Sequence, residues 1–267
     1  MAITTDYHVH STFSSDGHDS PEAIVKQAIS LGLTELCFTE HNDFYLIPYG
    51  PRPFILDVPA YFAEIERLQK VYSKEIKILH GIEAGLTPSV AEKNKKLIDD
   101  YNFDFVIGSS HVSSKTDPYY PSYWEDKTEE EGFRQYFQTI LDCLNTFSDF
   151  DSYGHLDYLV RYSPSRKYSY ECFVDIIDEI LLKILSLGKM IEINSSPIRS
   201  GLPEPNPSWK IVKRYKELGG EAVTIGSDSH YAKDLAKDFG VIEENLINLG
   251  FKYYALFEGR KVSYKKL

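Results

Sequence analysis

The chain has 267 residues, 42% hydrophobic and 26% charged, with a formal net charge of −11. That length holds one large core, so a single unit over 1–267 is the expected organisation, and the lack of a low-complexity tract sets disorder aside. The acidic balance argues against a groove that follows a phosphate backbone, because such grooves gain affinity from Lys and Arg, so no nucleic-acid partner is expected.

In chain order, the N-terminus reaches Asp6 and His8 without a basic start or an apolar stretch. Neither a signal nor a membrane span is expected there, and the protein is placed in the cytoplasm with no membrane partner. The first apolar segment, 3–9, leads into His10. Side chains alternate along a strand, so His8 and His10 point to one side and both imidazoles can reach one cation. Ser20 followed by Pro21 starts a helix that Gly32 stops. The strand at 34–40 runs into His41, that at 76–84 carries Glu83, and that at 104–110 runs into His111. His80, mid-strand, is expected to be a satisfied core residue. Thr128 with Glu131 forms a capping box for the next helix. Strands follow at 152–155, ending on His155, at 189–195, containing Asn194, and at 221–227, ahead of Asp228 and His230. Between the last two, Asn206 and Pro207 start a helix that ends at Gly219 and Gly220. Cys37, Cys143 and Cys172 lack metal-ligand spacing and sit in apolar or helical contexts, so buried free thiols are expected.

Strand and helix alternate along the whole chain, and no linker rich in Pro, Gly or Ser divides it. The fold class is therefore α/β, with a parallel sheet of about seven or eight strands closed into a barrel. In a barrel the C-terminal ends of all strands converge on one face. His8, His10, His41, Glu83, His111, His155, Asp228 and His230 all fall at such ends, and only the segment ending at Asn194 lacks an obvious ligand. Each has an ordinary explanation alone. Together, like charges and unpaired imidazoles would cost stability without a cation, so the pattern points to a multi-metal site.

These residues carry a resemblance to the polymerase and histidinol phosphatase (PHP) superfamily, whose four motifs are matched by 6–10, by 39–42, by Ser110 and His111 with His155, and by 226–230. The resemblance implies a distorted (β/α)7 TIM-like barrel and three divalent metal ions, zinc, iron or manganese. It implies that His8, His10, Glu83 and Asp228 hold one ion and that Glu83, His111 and His155 hold the second, with Glu83 as the bridge. The third falls to His41, His230 and Asp16; His18, in the same glycine-containing loop, is the rival for Asp16. The activity implied is that of a phosphomonoesterase acting on a small molecule, L-histidinol phosphate, as in histidine biosynthesis, with a metal-activated hydroxide as nucleophile.

Two arginines, Arg161 and Arg199, lie in loops on the ligand face, where histidinol phosphate phosphatases of this superfamily place arginines. A guanidinium supplies the permanently charged paired donors that a phosphate monoester needs. The 112–127 segment, with Tyr119, Tyr120, Tyr123, Trp124, Glu125 and Asp126, is either a lid that stacks a flat ring and neutralises an amine or a dimer interface, so the chain is a monomer or a homodimer. The stretch 44–54 is a second candidate pocket wall. Asp6 and Asp157 either orient imidazoles or serve as caps and surface acids. Two rival readings stay open: another PHP phosphoesterase, acting on phosphotyrosine or nucleic acid, and a metal-binding protein without turnover.

Overall fold

Strands covered on both faces need not alternate polar with apolar residues, and the strand segments here read as continuous apolar runs. In the computed structural model, which describes residues 3–45 and 54–267, seven of them pair in chain order as one parallel sheet. They are β1 (Thr5–Asp6), β2 (Glu35–Asn42), β3 (Lys77–Gly85), β4 (Phe105–Ser109), β5 (Ser152–Tyr153), β6 (Met190–Asn194) and β7 (Thr224–Gly226). Main-chain bonds link the far edge back to the start. Tyr7 N donates to Ile225 O at 3.2 Å, Asp228 N to His8 O at 2.8 Å, and His10 N to Ser229 O at 2.9 Å. The sheet thus closes into the expected seven-stranded barrel. Its first strand is shorter than the 3–9 run suggests, because beyond Asp6 the chain trades ladder bonds for Thr39: Val9 N donates to Thr39 Oγ1 at 3.0 Å.

The connecting helices are α1 (Pro21–Ser30), α2 (Val58–Val71), α3 (Ala91–Asp100), α4 (Glu129–Thr146), α5 (Val174–Ser186), α6 (Ser196–Arg199), α7 (Trp209–Glu217) and α8 (Phe239–Asn248). None among the described residues is long and apolar enough to cross a membrane. Ser20 caps α1 through Ala23 N, and the Thr128–Glu131 capping box opens α4, as the sequence predicts. The start of α7 is a correction. Asn206 does not cap it; the helix begins at Trp209, and Asn206 forms an antiparallel bridge with Asn194 at the end of β6. Cys37 and Cys143 are buried, whereas Cys172 is exposed, contrary to expectation, because it lies on a short 3-10 turn ahead of α5 that buries none of its residues.

Alternation along each strand divides the barrel interior into layers. The floor is apolar, formed by Tyr7, Cys37, Leu79, Phe105 and Ile107. One step up, Ser152 and Thr224 hydroxyls meet at 2.7 Å. Another step brings His41, Glu83 and Glu192 to the C-terminal rim. Residues of the opposite parity, such as Phe38, Ile78 and Ile82, pack outward beneath the helices in the main core. His80 has that parity and stacks on Phe62 of α2 at 4.3 Å, away from the rim.

A C-terminal hairpin that sequence reasoning missed, β8 (Tyr253–Glu258) and β9 (Lys261–Lys266), seals the floor. Its turn residues Gly259 and Arg260 both have positive φ, 52° and 63°, the geometry of the tight turns that twist with their strands. Ala255 and Phe257 enter the interior cluster, and Phe257 O accepts from the Tyr7 hydroxyl at 2.9 Å. Arg260 anchors the turn through Nε to Asp151 Oδ2 at 2.5 Å. Phe257→Ala is expected to destabilise the protein by about 3 kcal/mol through the cavity it leaves. Urea unfolding of the metal-loaded protein checks this, and a shift within error would mean that the hairpin is not part of the cooperative core.

Candidate metal centre

The barrel delivers a carboxylate to the middle of a ring of imidazoles. Glu83, fully buried on β3, directs Oε2 to His41 Nδ1 at 2.7 Å, His8 Nε2 at 3.4 Å and His10 Nε2 at 3.5 Å. Its Oε1 faces His155 Nε2 at 2.8 Å and His111 Nε2 at 3.1 Å. Asp228 stands opposite, its Oδ1 3.4 Å from His10 Nε2 and 3.7 Å from His8 Nε2. Its backbone has φ of 51°, a conformation that a non-glycine residue holds only where its surroundings fix it. Asp16 closes the rim: its Oδ2 lies 3.2 Å from His230 Nε2 and 3.7 Å from His41 Nε2. His18, the rival, is exposed like Asp16 but stacks on Tyr231 at 4.1 Å. All nine residues named from the sequence as ligands therefore meet at one end of the barrel.

The donor set fits divalent cations. Buried His8 Nε2, His10 Nε2 and Glu83 Oε2 have no hydrogen-bond partner among the described residues, which costs about 1–3 kcal/mol per group unless a cation satisfies it. The donor atoms fall into overlapping groups: His8, His10 and Asp228; His8, Glu83 and His155; His10, His41 and His230; and His41, Asp43 and His111. Burial opposes charge on His8, yet Glu192, Glu83 and Asp228 outweigh it and hold its pKa well above the ordinary range. Burial also works against an ionised Glu83, yet His8, His111 and His41 hold its pKa well below the carboxylate range. Burial, followed by the neighbouring His41 and His230, pushes His10 well below. The acids thus demand positive charge at points where imidazoles crowd one another, and a metal ion would supply it.

Several positioning residues escape sequence reasoning. Glu192 Oε1 meets His8 Nδ1 at 2.5 Å, and Gly226 leaves room for this pair, since a Cβ there would lie 2.2 Å from His8 Cβ and 2.6 Å from Glu192 Oε1. Ser14 Oγ links His10 Nδ1 to Glu40 Oε2, at 3.2 and 2.5 Å. Asp43 Oδ1 meets His111 Nδ1 at 3.0 Å. Such contacts fix which ring nitrogen faces the ion. The available signals were a glutamate inside the apolar run of β6 and an acid two places after His41. Asp6 and Asp157, by contrast, are buried and meet no imidazole among the described residues. Asp6 accepts from the backbone N–H groups of His8, Ser227 and Ala236, and burial raises its pKa to about 6.

A cavity of about 330 Å³ opens onto the cluster, lined also by Phe54, Asp117, Tyr119, Tyr158, Tyr162 and Arg161. Arg161 directs Nη2 to Asp228 Oδ2 at 3.2 Å. Arg199, on α6, lies off the lining and donates Nη1 to Ser227 O and Nη2 to Asp228 O, each at 3.1 Å. The 112–127 segment contributes Asp117 and Tyr119 to the cavity. Tyr123 and Trp124 are buried instead, against Gly132 and Phe133 of α4, and Glu125 and Asp126 are exposed away from the lining. Of the acids in this segment, the one that lines the pocket is thus Asp117 rather than Glu125 or Asp126. Of the 44–54 stretch, Phe54 lines the cavity, and 46–53 lies outside the described residues.

The PHP domain model matches residues 6–196. A histidinol-phosphatase of Lactococcus lactis subsp. lactis (strain IL1403) is 36% identical over 98% of this chain and 97% of its own length. A probable histidinol-phosphatase of Clostridium acetobutylicum is 34% identical over 88% of this chain and 89% of its own. The crystal structure of histidinol phosphate phosphatase from L. lactis, complexed with zinc, L-histidinol and phosphate, superposes with a TM-score of 0.88 at 34% identity, covering 97% of this chain and 98% of that one.

Asp43→Ala removes the partner of His111 Nδ1 and, with it, a carboxylate oxygen 3.8 Å from His41 Nδ1. It is expected to weaken metal affinity by about 10–100-fold, the usual loss when an outer carboxylate is taken from a ligating histidine. Chelator competition on the purified protein measures this; an unchanged affinity would make Asp43 a packing residue only.

Proposed function

The chain belongs to the PHP domain family, and we infer that it is a phosphatase that hydrolyses L-histidinol phosphate to L-histidinol and phosphate. One observation carries the reading: a single cavity is bounded by the imidazole–carboxylate cluster, by a guanidinium and by an aromatic wall with one acid. We assign three divalent ions, zinc, iron or manganese, to His8, His10, Asp16, His41, Glu83, His111, His155, Asp228 and His230, with Glu83 shared between two of them. Ions so bound lower the pKa of water and polarise phosphate oxygens, the chemistry that phosphate ester hydrolysis needs.

The side chains supply the remainder. Arg161 has Nε and Nη2 engaged by Asn206, Asn194 and Asp228. Its Nη1 has no hydrogen-bond partner among the described residues and serves as the donor to a non-bridging phosphate oxygen. Arg199 keeps one N–H on each terminal nitrogen beyond those given to Ser227 O and Asp228 O, and is the secondary phosphate donor. Asp117 offers a carboxylate to the substrate's ammonium group, and Tyr119, Tyr158, Tyr162 and Phe54 offer rings against which an imidazole stacks. The buried, pre-set donors favour charge that grows in the transition state, because they need no reorganisation when it does.

A substrate panel tests this reading. kcat/KM for L-histidinol phosphate is expected to exceed that for a plain alkyl or aryl phosphate by at least about 10²-fold, since an analogue without ring and amine leaves buried polar groups unpaired. Equal rates, or faster release from phosphotyrosyl peptides or a dinucleotide, would overturn it. In the same assay Arg161→Ala is expected to lower kcat/KM by about 10²-fold with metal content unchanged. Arg199→Ala is expected to lower it by less, and Arg161→Lys to recover only part of the loss.

A further inference from the structure

Arg161 sits at the end of a polar chain that reaches through the wall of the barrel. Its Nε donates to Asn206 Oδ1 at 3.1 Å. The other end of the same amide, Asn206 Nδ2, donates to Asp157 Oδ1 at 2.5 Å. Asp157 Oδ2 in turn accepts from the Tyr168 hydroxyl at 2.7 Å and from Ser208 N at 3.0 Å. Asn206 and Asp157 are buried. The backbone of Asn206 is held independently, exchanging bonds with Asn194 in both directions at 2.7 and 3.0 Å. Asn194 Oδ1 also accepts from Arg161 Nη2, at 3.3 Å. The guanidinium is therefore gripped on Nε and Nη2, and among the described residues nothing takes Nη1, which remains for a ligand.

The identity of residue 206 carries a second message. A carboxylate at this position would accept equally well from Arg161 Nε, but it would add a second negative charge to a guanidinium that already faces Asp228, and it would abut Asp157. An amide accepts on one side and donates on the other, so it passes on the geometry that Asp157 sets while keeping that acid's charge one residue away from the arginine. We propose that Asn206, fixed by Asp157, is a positioning residue that aims Arg161 Nη1 at the substrate phosphate without neutralising it. The inference rests on the reading that Arg161 binds phosphate.

The test uses the metal-loaded full chain and reads the competitive inhibition constant of inorganic phosphate, kcat and KM for L-histidinol phosphate, and metal content. Asn206→Ala is expected to weaken phosphate inhibition and raise KM by roughly tenfold or more, the scale on which a misaimed donor is felt, with metal content unchanged. In an Arg161→Ala background the same change is expected to add less than about twofold, because a residue that acts through another has nothing left to position. Asp157→Asn keeps one acceptor, enough for Asn206 Nδ2 or for Ser208 N but not both, and is expected to fall between the parent and Asp157→Ala, which should reproduce the Asn206→Ala effect. The Asp157 pair also reads the relay if the residue 206 variant does not fold. Losses that multiply in the double variant, or an Asn206→Ala protein with unaltered phosphate inhibition, overturn the relay. If Arg161→Ala itself leaves phosphate inhibition unchanged, the phosphate role of Arg161 fails instead.

Discussion

One buried carboxylate organises this molecule. Glu83 faces five imidazoles from the interior of a closed barrel, three on one oxygen and two on the other. A carboxylate so far from water is stable only against positive charge, and imidazoles that share it repel one another when protonated. Divalent ions would resolve both problems at once. The surrounding acids then follow: an imidazole has two nitrogens, and one must be held elsewhere if the other is to face an ion. Glu192 holds His8, Glu40 holds His10 through Ser14, and Asp43 holds His111.

Such a concentration of ionisable groups needs a rigid support. Parallel strands give it by turning alternate residues inward in layers, so the same strands that present His41, Glu83 and Glu192 at the rim present Cys37, Leu79 and Met190 at the floor. The C-terminal hairpin extends the floor and keeps water from below. Polar chemistry at the top of the barrel therefore depends on apolar packing at its base, connected through backbone rather than through side-chain contact.

Much of this was legible in the sequence, for an identifiable reason. Strand ends converge in any barrel, so residues spaced far apart could be collected without knowing a single contact, and His8, His10, His41, Glu83, His111, His155, Asp228 and His230 came together on that argument, while their division among ions came from the family resemblance. Alternation put His8 and His10 on one side even though regular pairing stops at Asp6. Alternation also separates His80 from Glu83 on β3. What stayed hidden depends on partners brought together by the turn of the chain. Asp43 and Glu192 look like any buried acid until the histidine opposite is known. Asn206 carried a helix-start signal through the following proline, and the tertiary bridge to Asn194 overrode it. The aromatic segment at 112–127 divides between core and cavity, a distinction that composition does not hold. The hairpin was the one element with a usable local signal, Gly259 and Arg260 between two strand-like runs.

Nine converging ligands imply a trinuclear centre. Titrating chelator-stripped protein with zinc while following bound metal by elemental analysis tests it directly. Saturation near three ions per chain, with phosphatase activity returning as the sites fill, is the result expected from nine converging ligands. Saturation near one ion per chain with full activity would contradict it.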